Sequence, residues 1–490
     1  MKAPHSKRPR AAPESARSTQ LEKPLKLAAF LDLNWFASFP QGILDMKAIT
    51  AVEAWGDNRE GSAVVRQYLK LLRVLGCCFV EGLFSEDASQ LEANRCSWYL
   101  AYSALVLSAL WTTAVVNIVR FLVDGTIMSE ILAIACFMYV VQLTSVVGPA
   151  FFNAPTIVRA LAKSARFELG NPSRRLVDEL GREKSPNRSG RRLPEAYERR
   201  LRRNCVAVAV FIVGQIAMKV YFLVMIFLPL DSAASVARFS AILAIMAVAT
   251  VWSGAPAVCT TLVGRWLSAH VRLIRTNLET VAAQRQHRDS DRVSGGTPLF
   301  TADMLVATRR DLSELRRILR AWNGSLQPGL LAQFASDSLG MCTALYILLA
   351  GEQRCVRVVA QALVRSALAG FVLFVATWSS DDVAKQVEKL KYNIDSYVES
   401  GLVCPRSRKE FQTFLLSLSS KEFLFTATGF FDLKLSLLSK LAGAVFIHTT
   451  ILIQMMRLGR GCVGTGVPSA KQGEDEMGEH GRNYIASYFY

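Results

Sequence analysis

Apolar runs of roughly membrane-spanning length, separated by polar and strongly basic stretches, set the plan of this chain. Residues 97–119 run without a charge, and residues 127–152 carry only Glu130. At about 1.5 Å of rise per residue, each makes a helix long enough to cross a hydrocarbon core of roughly 30 Å. The same pattern predicts spans over 205–228, interrupted by Lys219, and over 238–264, charge-free after Arg238 and kinked at Pro256. It also predicts spans over 329–350, around Asp337, and 356–378, which carries Arg365. A seventh span covers 431–458. The expected fold class is an all-α membrane protein with seven transmembrane helices.

The polar stretches have patterns of their own. Residues 1–96 form an N-terminal region without the uninterrupted apolar core of a cleavable signal peptide. Within it, residues 64–80 place Val65, Leu69, Leu72 and Leu75 at helical spacing with Arg66, Lys70 and Arg73 between them, which predicts a membrane-adjacent amphipathic helix. Two long basic loops follow, 159–203 and 265–320, the second with helix-forming ends around Ser294–Pro298. In residues 379–430, Val383, Val387, Leu390 and Ile394 alternate four and three apart, a short coiled-coil-like seam and a candidate subunit-assembly surface. Residues 459–490, Gly-rich at the start and mixed in charge, are expected to be a disordered tail.

Composition confirms the class and charge decides the orientation. Across 490 residues the chain is 51% hydrophobic, and its mean hydropathy is +0.25, as for a polytopic membrane protein. The net charge of +17 does not point to nucleic acid, because basic residues fall between apolar runs and build no basic domain with interleaved aromatics. They concentrate in the N-terminal region and in the loops after spans two, four and six. Positive-inside reasoning therefore places the N-terminus in the cytosol and the C-terminus outside. A G-protein-coupled receptor has the opposite orientation, and the chain also lacks Asp-Arg-Tyr after span three, which ends Leu228-Pro229-Leu230-Asp231, and Asn-Pro-x-x-Tyr in span seven. The sequons at Asn187 and Asn323 fall on the inner side and are expected to stay bare.

No enzyme is expected. The ten cysteines contain no CxxC pair and no metal-spaced His-Cys cluster, and the five histidines support no catalytic arrangement, so neither a metal nor a cofactor is called for. The informative polar residues lie in the spans. Residues 441–456 have no charge but contain His448, Thr449, Thr450 and Gln454, so this helix either lines a water-filled path or packs its polar groups against neighbouring helices. Lys219, Tyr221, Tyr346, Gln361 and Arg365, in the outer halves of their spans, are candidates for one outward-facing ligand cavity, with Trp252 as its floor. The competing readings are snorkelling for the two cations and packing or belt roles for the aromatics.

The segment 423–455 resembles the C-terminal signature of arthropod gustatory receptors. It reads Phe425-Thr426-Ala427-Thr428-Gly429-Phe430-Phe431, then Leu433-Lys434-Leu435-Ser436-Leu437-Leu438, Gly443-Ala444 and Gln454-Met455. Ile447-His448 stand at the family's Thr-Tyr positions and Met455 stands where the family has Phe. The resemblance implies a tastant-gated, non-selective cation channel in the plasma membrane of a sensory neuron. It implies a homo- or hetero-tetramer with related subunits, surrounded by lipid, in which span seven lines an axial pore and the cytosolic anchor at 379–430 joins the subunits. Gln454 and Met455 then form the constriction. Sugar-responsive members often carry an acid directly after Thr-Tyr, where this chain has Thr449, which argues against a sugar as ligand. An odorant-receptor-like channel and a relative that binds ligand without conducting are the alternatives, with a G-protein-coupled receptor further off.

Overall fold

The computed structural model describes residues 61–85, 90–93, 98–124, 127–170, 233–290, 302–350, 356–400 and 405–463, with single positions at 214, 217 and 403. Span three with Lys219 and Tyr221, and the tail beyond Val463, lie outside the described residues. The helices are α1 (Gly61–Val74), α2 (Trp98–Asp124), α3 (Ile127–Phe152), α4 (Ala154–Gly170), α5 (Ala233–Ser290), α6 (Ala302–Ala350), α7 (Val356–Glu399), α8 (Pro405–Ser417) and α9 (Leu435–Val463). Two short antiparallel hairpins join β1 (Val80–Glu81) to β2 (Glu92–Ala93), and β3 (Thr426–Ala427) to β4 (Phe431–Asp432). This is an all-α membrane fold. Leu100–Arg120, Ala247–Thr280, Ser366–Glu399 and Leu435–Met455 are each long and apolar enough to cross a bilayer, and α3 with α4 make a further pair bent by 69°.

Helix α1 is amphipathic, and its apolar face is spent inside the protein. Val65, Tyr68, Leu69 and Leu72 are buried at helical spacing. Gly76, at φ +86°, ends it in a left-handed cap in which Gly76 N donates to Arg73 O and Cys77 N to Leu72 O. A Cβ at Gly76 would fall 2.4 Å from the Tyr102 ring, so close packing and φ both require glycine. The basic face folds the following turn back onto the helix. Arg66 donates to the carbonyls of Leu83 and Gly82 at 2.9 and 3.0 Å, and Arg73 donates to Val80 O and pairs with Glu81.

The bend between α3 and α4 has a local cause. Asn153 ends α3 by donating its amide to Pro149 O, and its carbonyl accepts from Thr156 N and Ile157 N to start α4. Pro155 falls in the first turn of α4, where its missing N–H costs no helical bond. The basic stretch expected as loop from residue 159 therefore begins as helix.

Helix α5 runs through span four and on to Ser290, about 87 Å at the usual rise. Pro256 disturbs its ladder, and two neighbouring helices satisfy the groups concerned. Gln142 Nε2 of α3 donates to Ser253 O at 3.0 Å, and Ala257 N donates to Gln333 Oε1 of α6 at 3.2 Å. Gly329 of α6 lies against the proline ring, which a Cβ there would meet at 2.8 Å. Pro256 thus marks the crossing of α3, α5 and α6.

The most extensive packing joins α5 to α7. At Gly264 the two helices come together, since a Cβ there would lie 2.6 Å from Ser379 Oγ, which itself donates to Thr261 O at 2.9 Å. Beyond that point Ile274 and Leu278 of α5, Leu315 and Ile318 of α6, and Val387 and Leu390 of α7 belong to one apolar core. Where water surrounds such a core, hydrophobic burial stabilises it, each large side chain contributing roughly 1.5–3 kcal/mol. Within lipid that force between helices vanishes. Correspondingly, 78% of the apolar window in α5 is buried, against 22% in α2 and 6% in α9.

Candidate functional site

Helix α9 is the least covered of the apolar helices, and the segment before it is among the best held. The 3₁₀ turn Ser420–Phe423 is tied to α7 by Ser420 Oγ donating to Glu388 at 2.9 Å, and to α6 by an Arg316–Glu422 pair. Phe425 N donates to Ser380 Oγ of α7 at 3.0 Å. Thr426 N donates to Asn323 Oδ1 of α6 at 3.1 Å, and its hydroxyl oxygen accepts from Gln327 Nε2 at 2.8 Å and Asn323 Nδ2 at 3.4 Å. Phe423, Phe425, Ala427 and Leu433 are fully buried around this clamp, and Phe431 packs on Phe334 at 5.2 Å.

The turn explains the composition of the signature. Thr428 (φ 51°) and Gly429 (φ 77°) are both left-handed, and Phe430 N closes the turn on Ala427 O at 2.9 Å. A tight hairpin turn with two such residues favours Gly at the second position. Leu433 N then returns to Phe425 O at 2.8 Å and delivers the chain into α9. Asn323 holds this hairpin with both ends of its amide.

A second network fixes the base on which the clamp stands. Asp382 of α7 accepts from Ser268 Oγ at 2.5 Å and from Arg272 at 3.0 and 3.1 Å, with Arg265 at 3.7 Å. Arg265 also lies 3.9 Å over the Trp378 ring. Ser268, Arg272 and Gln386 donate to the Asp382 carboxylate, and Arg265 adds a further positive charge beside it.

Helix α9 has two unlike faces. Val445 and Thr449 are buried against α6, where Cys342 Sγ lies 3.8 Å from Val445 O. Opposite them, Ile447, Ile451, Gln454 and Met455 are exposed, with Gly443 and Ala444 on the same side. Three polar side chains that drew attention in the sequence bond their own helix: His448 Nδ1 to Ala444 O, Thr449 to Val445 O and Thr450 to Phe446 O. They are thus reconciled with an apolar surrounding. Among the described residues, nothing bonds the Gln454 amide. Met455 beside it is 63% exposed.

The other candidate residues are placed as follows. Trp252 is fully buried, and its indole N–H donates to Leu75 O, in the turn that ends α1, at 3.1 Å. It packs against the amphipathic helix of the N-terminal region and so is not the floor of an outward cavity. Tyr346 is buried. Gln361 and Arg365 lie on α7, and their side chains are outside the described set. Val383, Val387, Leu390 and Ile394 are buried within their own chain. The seam spacing is real, but its side chains are buried in one core with residues of α5, α6 and α8, so it leaves no surface for a neighbouring subunit. The outward side of the same helix carries Lys389, Lys391 and Tyr392.

The described residues also form a cavity of about 50 Å³ lined by α1, α3, α5 and α6, with Cys77, Cys78, Cys259, Pro256 and Gly329 among its walls. It is far below the roughly 300–1,000 Å³ of a small-molecule site. Sequence reasoning missed the Asn323–Gln327–Ser380 clamp. Its only sequence signal was three ordinary polar residues on helices distant in the chain from the hairpin.

The comparisons follow the same lines. Residues 65–455 match the family model described as 7tm chemosensory receptor. The fold is similar to that of the insect olfactory receptor OR5 from Machilis hrabei, at 15% identity and a TM-score of 0.52, covering 80% of this chain and 97% of that one. The structure of the same receptor in complex with eugenol matches at 13% identity and a TM-score of 0.56, with the same coverage. At such identities the likeness is one of fold. No curated protein matches the chain.

Proposed function

The chain belongs to the 7tm chemosensory receptor family, and from that premise we propose that it is a gustatory receptor subunit: part of a tetrameric, tastant-gated, non-selective cation channel in the plasma membrane of a sensory neuron. The observation that carries this reading is the uncovered face of α9. A helix that starts from a firmly clamped hairpin but leaves Ile447, Ile451, Gln454 and Met455 unpacked is built to meet something outside its own chain. Copies of α9 around a symmetry axis cover that face and bring four Gln454–Met455 pairs to one narrow path. The amide there meets ions, and the thioether excludes water. The signature at Phe425–Phe431 favours a taste receptor, a receptor and not a catalyst.

The fold likeness to an olfactory receptor, including its eugenol-bound form, favours a second reading in which the ligand is a small volatile compound. Both readings share the orientation drawn from the basic loops, with the N-terminus inside. The test is whole-cell recording from cells expressing this chain alone and with related subunits, against panels of non-volatile and volatile compounds. Ligand-evoked current that survives replacement of sodium by potassium supports the channel reading, and the active panel decides between tastant and odorant. An N-terminal epitope should stain only permeabilised cells. Staining of intact cells, or ligand binding with no current in any combination, overturns the reading.

A further inference from the structure

We propose that α4 is a lipid-recognition helix, on which Arg159, Lys163 and Arg166 bind the phosphate headgroups of anionic phospholipids in the inner leaflet. Helix α4 is held at both ends. It leaves the inner end of the second span at a 69° bend. Near its far end, Glu168 accepts from Trp266 Nε1 at 2.6 Å and lies 3.5 Å from His270 Nε2. Trp266 and His270 follow closely on Gly264, the last residue of the uncharged stretch of α5. Both ends of this roughly 25 Å helix are therefore held near the inner membrane edge.

Its faces are sorted accordingly. Ile157, Ala160, Leu161, Ser164 and Phe167 are buried toward the protein. Arg159, Lys163 and Arg166 recur at i, i+4 and i+7, which puts all three within about 60° of arc on the opposite side. Arg159 and Arg166 are exposed and Lys163 is partly so. Among the described residues, no carboxylate pairs with any of them; Arg159 Nε bonds only Pro155 O of its own helix. The acid on the same helix, Glu168, is buried with Trp266 and His270. A basic, amphipathic helix at this depth is complementary to lipid phosphate.

The surroundings fit a bilayer edge. Phe152 at the end of α3 and Trp98 at the start of α2 are 69% and 91% exposed, as aromatic side chains are where spans meet the headgroups. Lys70 lies 5.6 Å over the Phe84 ring, also exposed. The sequence that follows α4 carries the same sign: residues 171–203 contain eleven Lys or Arg against five Asp or Glu. The inference rests on the cytosolic placement of α4 and not on ion conduction.

The experiment uses the full-length protein in phosphatidylcholine nanodiscs doped with phosphatidylserine or phosphatidylinositol 4,5-bisphosphate, with retained lipid counted by native mass spectrometry. The triple variant Arg159→Gln/Lys163→Gln/Arg166→Gln should retain anionic lipid at least roughly tenfold less well, since one basic residue near an anionic surface is worth about fivefold. Phosphatidylcholine should be unchanged. Lys389→Gln/Lys391→Gln/Lys409→Gln, which removes three charges from exposed positions on α7 and α8, should retain lipid as wild type does. Arg159→Lys/Arg166→Lys should restore retention and shows that folding is not the cause. Equal loss in both triple variants, or no loss in the first, overturns the proposal, as does a triple variant that keeps its lipid but no longer captures an acidic peptide. A protein with no ligand-evoked current that still shows the α4-specific loss would fail the channel reading alone.

Discussion

Met455→Ser should open the channel without ligand, raising basal cation current on the order of tenfold, the effect of a shift of about 1.4 kcal/mol in the closed–open balance. Met455 is exposed on the uncovered face of α9, and a ring of thioethers around an axis resists wetting where a ring of hydroxyls admits water. Gln454→Ala should instead alter conductance or selectivity and leave ligand sensitivity nearly unchanged, because an exposed amide with no partner among the described residues is free to meet the ion. Single-channel recording checks both. If Met455→Ser has the closed-state leak of wild type, the constriction lies elsewhere.

Asn323→Ala should cost the receptor about 2 kcal/mol of stability, the usual range for leaving a buried amide without its acceptor. The loss centres on Thr426 N, which donates to Asn323 Oδ1 at 3.1 Å. Gln327 still reaches the Thr426 hydroxyl, so the hairpin loosens instead of detaching. Asn323→Ala and Thr426→Val act on one network, and their combined effect should be clearly less than the sum of the two. Ser380→Ala removes the neighbouring acceptor for Phe425 N and should cost a similar amount. Thermal melts of the detergent-solubilised protein followed by size-exclusion fluorescence measure all four variants. Additive effects would mean that the residues do not act together, and unchanged melting would mean that the clamp does not hold α9 in place.

What the sequence made legible follows from which forces act locally. Bilayer thickness is written into run length, so the apolar stretches in α2, α3, α5, α7 and α9 were readable one at a time. The signature at Phe425–Phe431 was readable because a tight turn with Gly429 at positive φ constrains its own residue types.

Partner choice was not legible. The spacing of Val383, Val387, Leu390 and Ile394 specifies a seam but not whether the other half lies in α5 or in a second subunit, and burial inside the chain answers that question. Trp252 shows the same limit, since its bond to Leu75 O joins residues 177 positions apart. His448, Thr449 and Thr450 looked like pore polarity by composition, yet each bonds a carbonyl one turn back. Of the polar residues of span seven first singled out, His448 and Gln454 are exposed, and only Gln454 has no bond to its own helix among the described residues. Asn153 and Pro155 carried the signals for the 69° bend, but they stand just ahead of a basic region, 159–203, whose composition also suits a loop.

The central claim is that the uncovered face of α9 lines a water-filled path, and cysteine accessibility along that helix tests it most directly. A positively charged, membrane-impermeant thiol reagent applied from outside during ligand-evoked current should block Gln454→Cys rapidly and Ile451→Cys only while the channel is open. Val445→Cys and Thr449→Cys, on the face packed against α6, should be untouched. Reaction at Val445 and Thr449 with Gln454 and Ile451 silent would contradict the account.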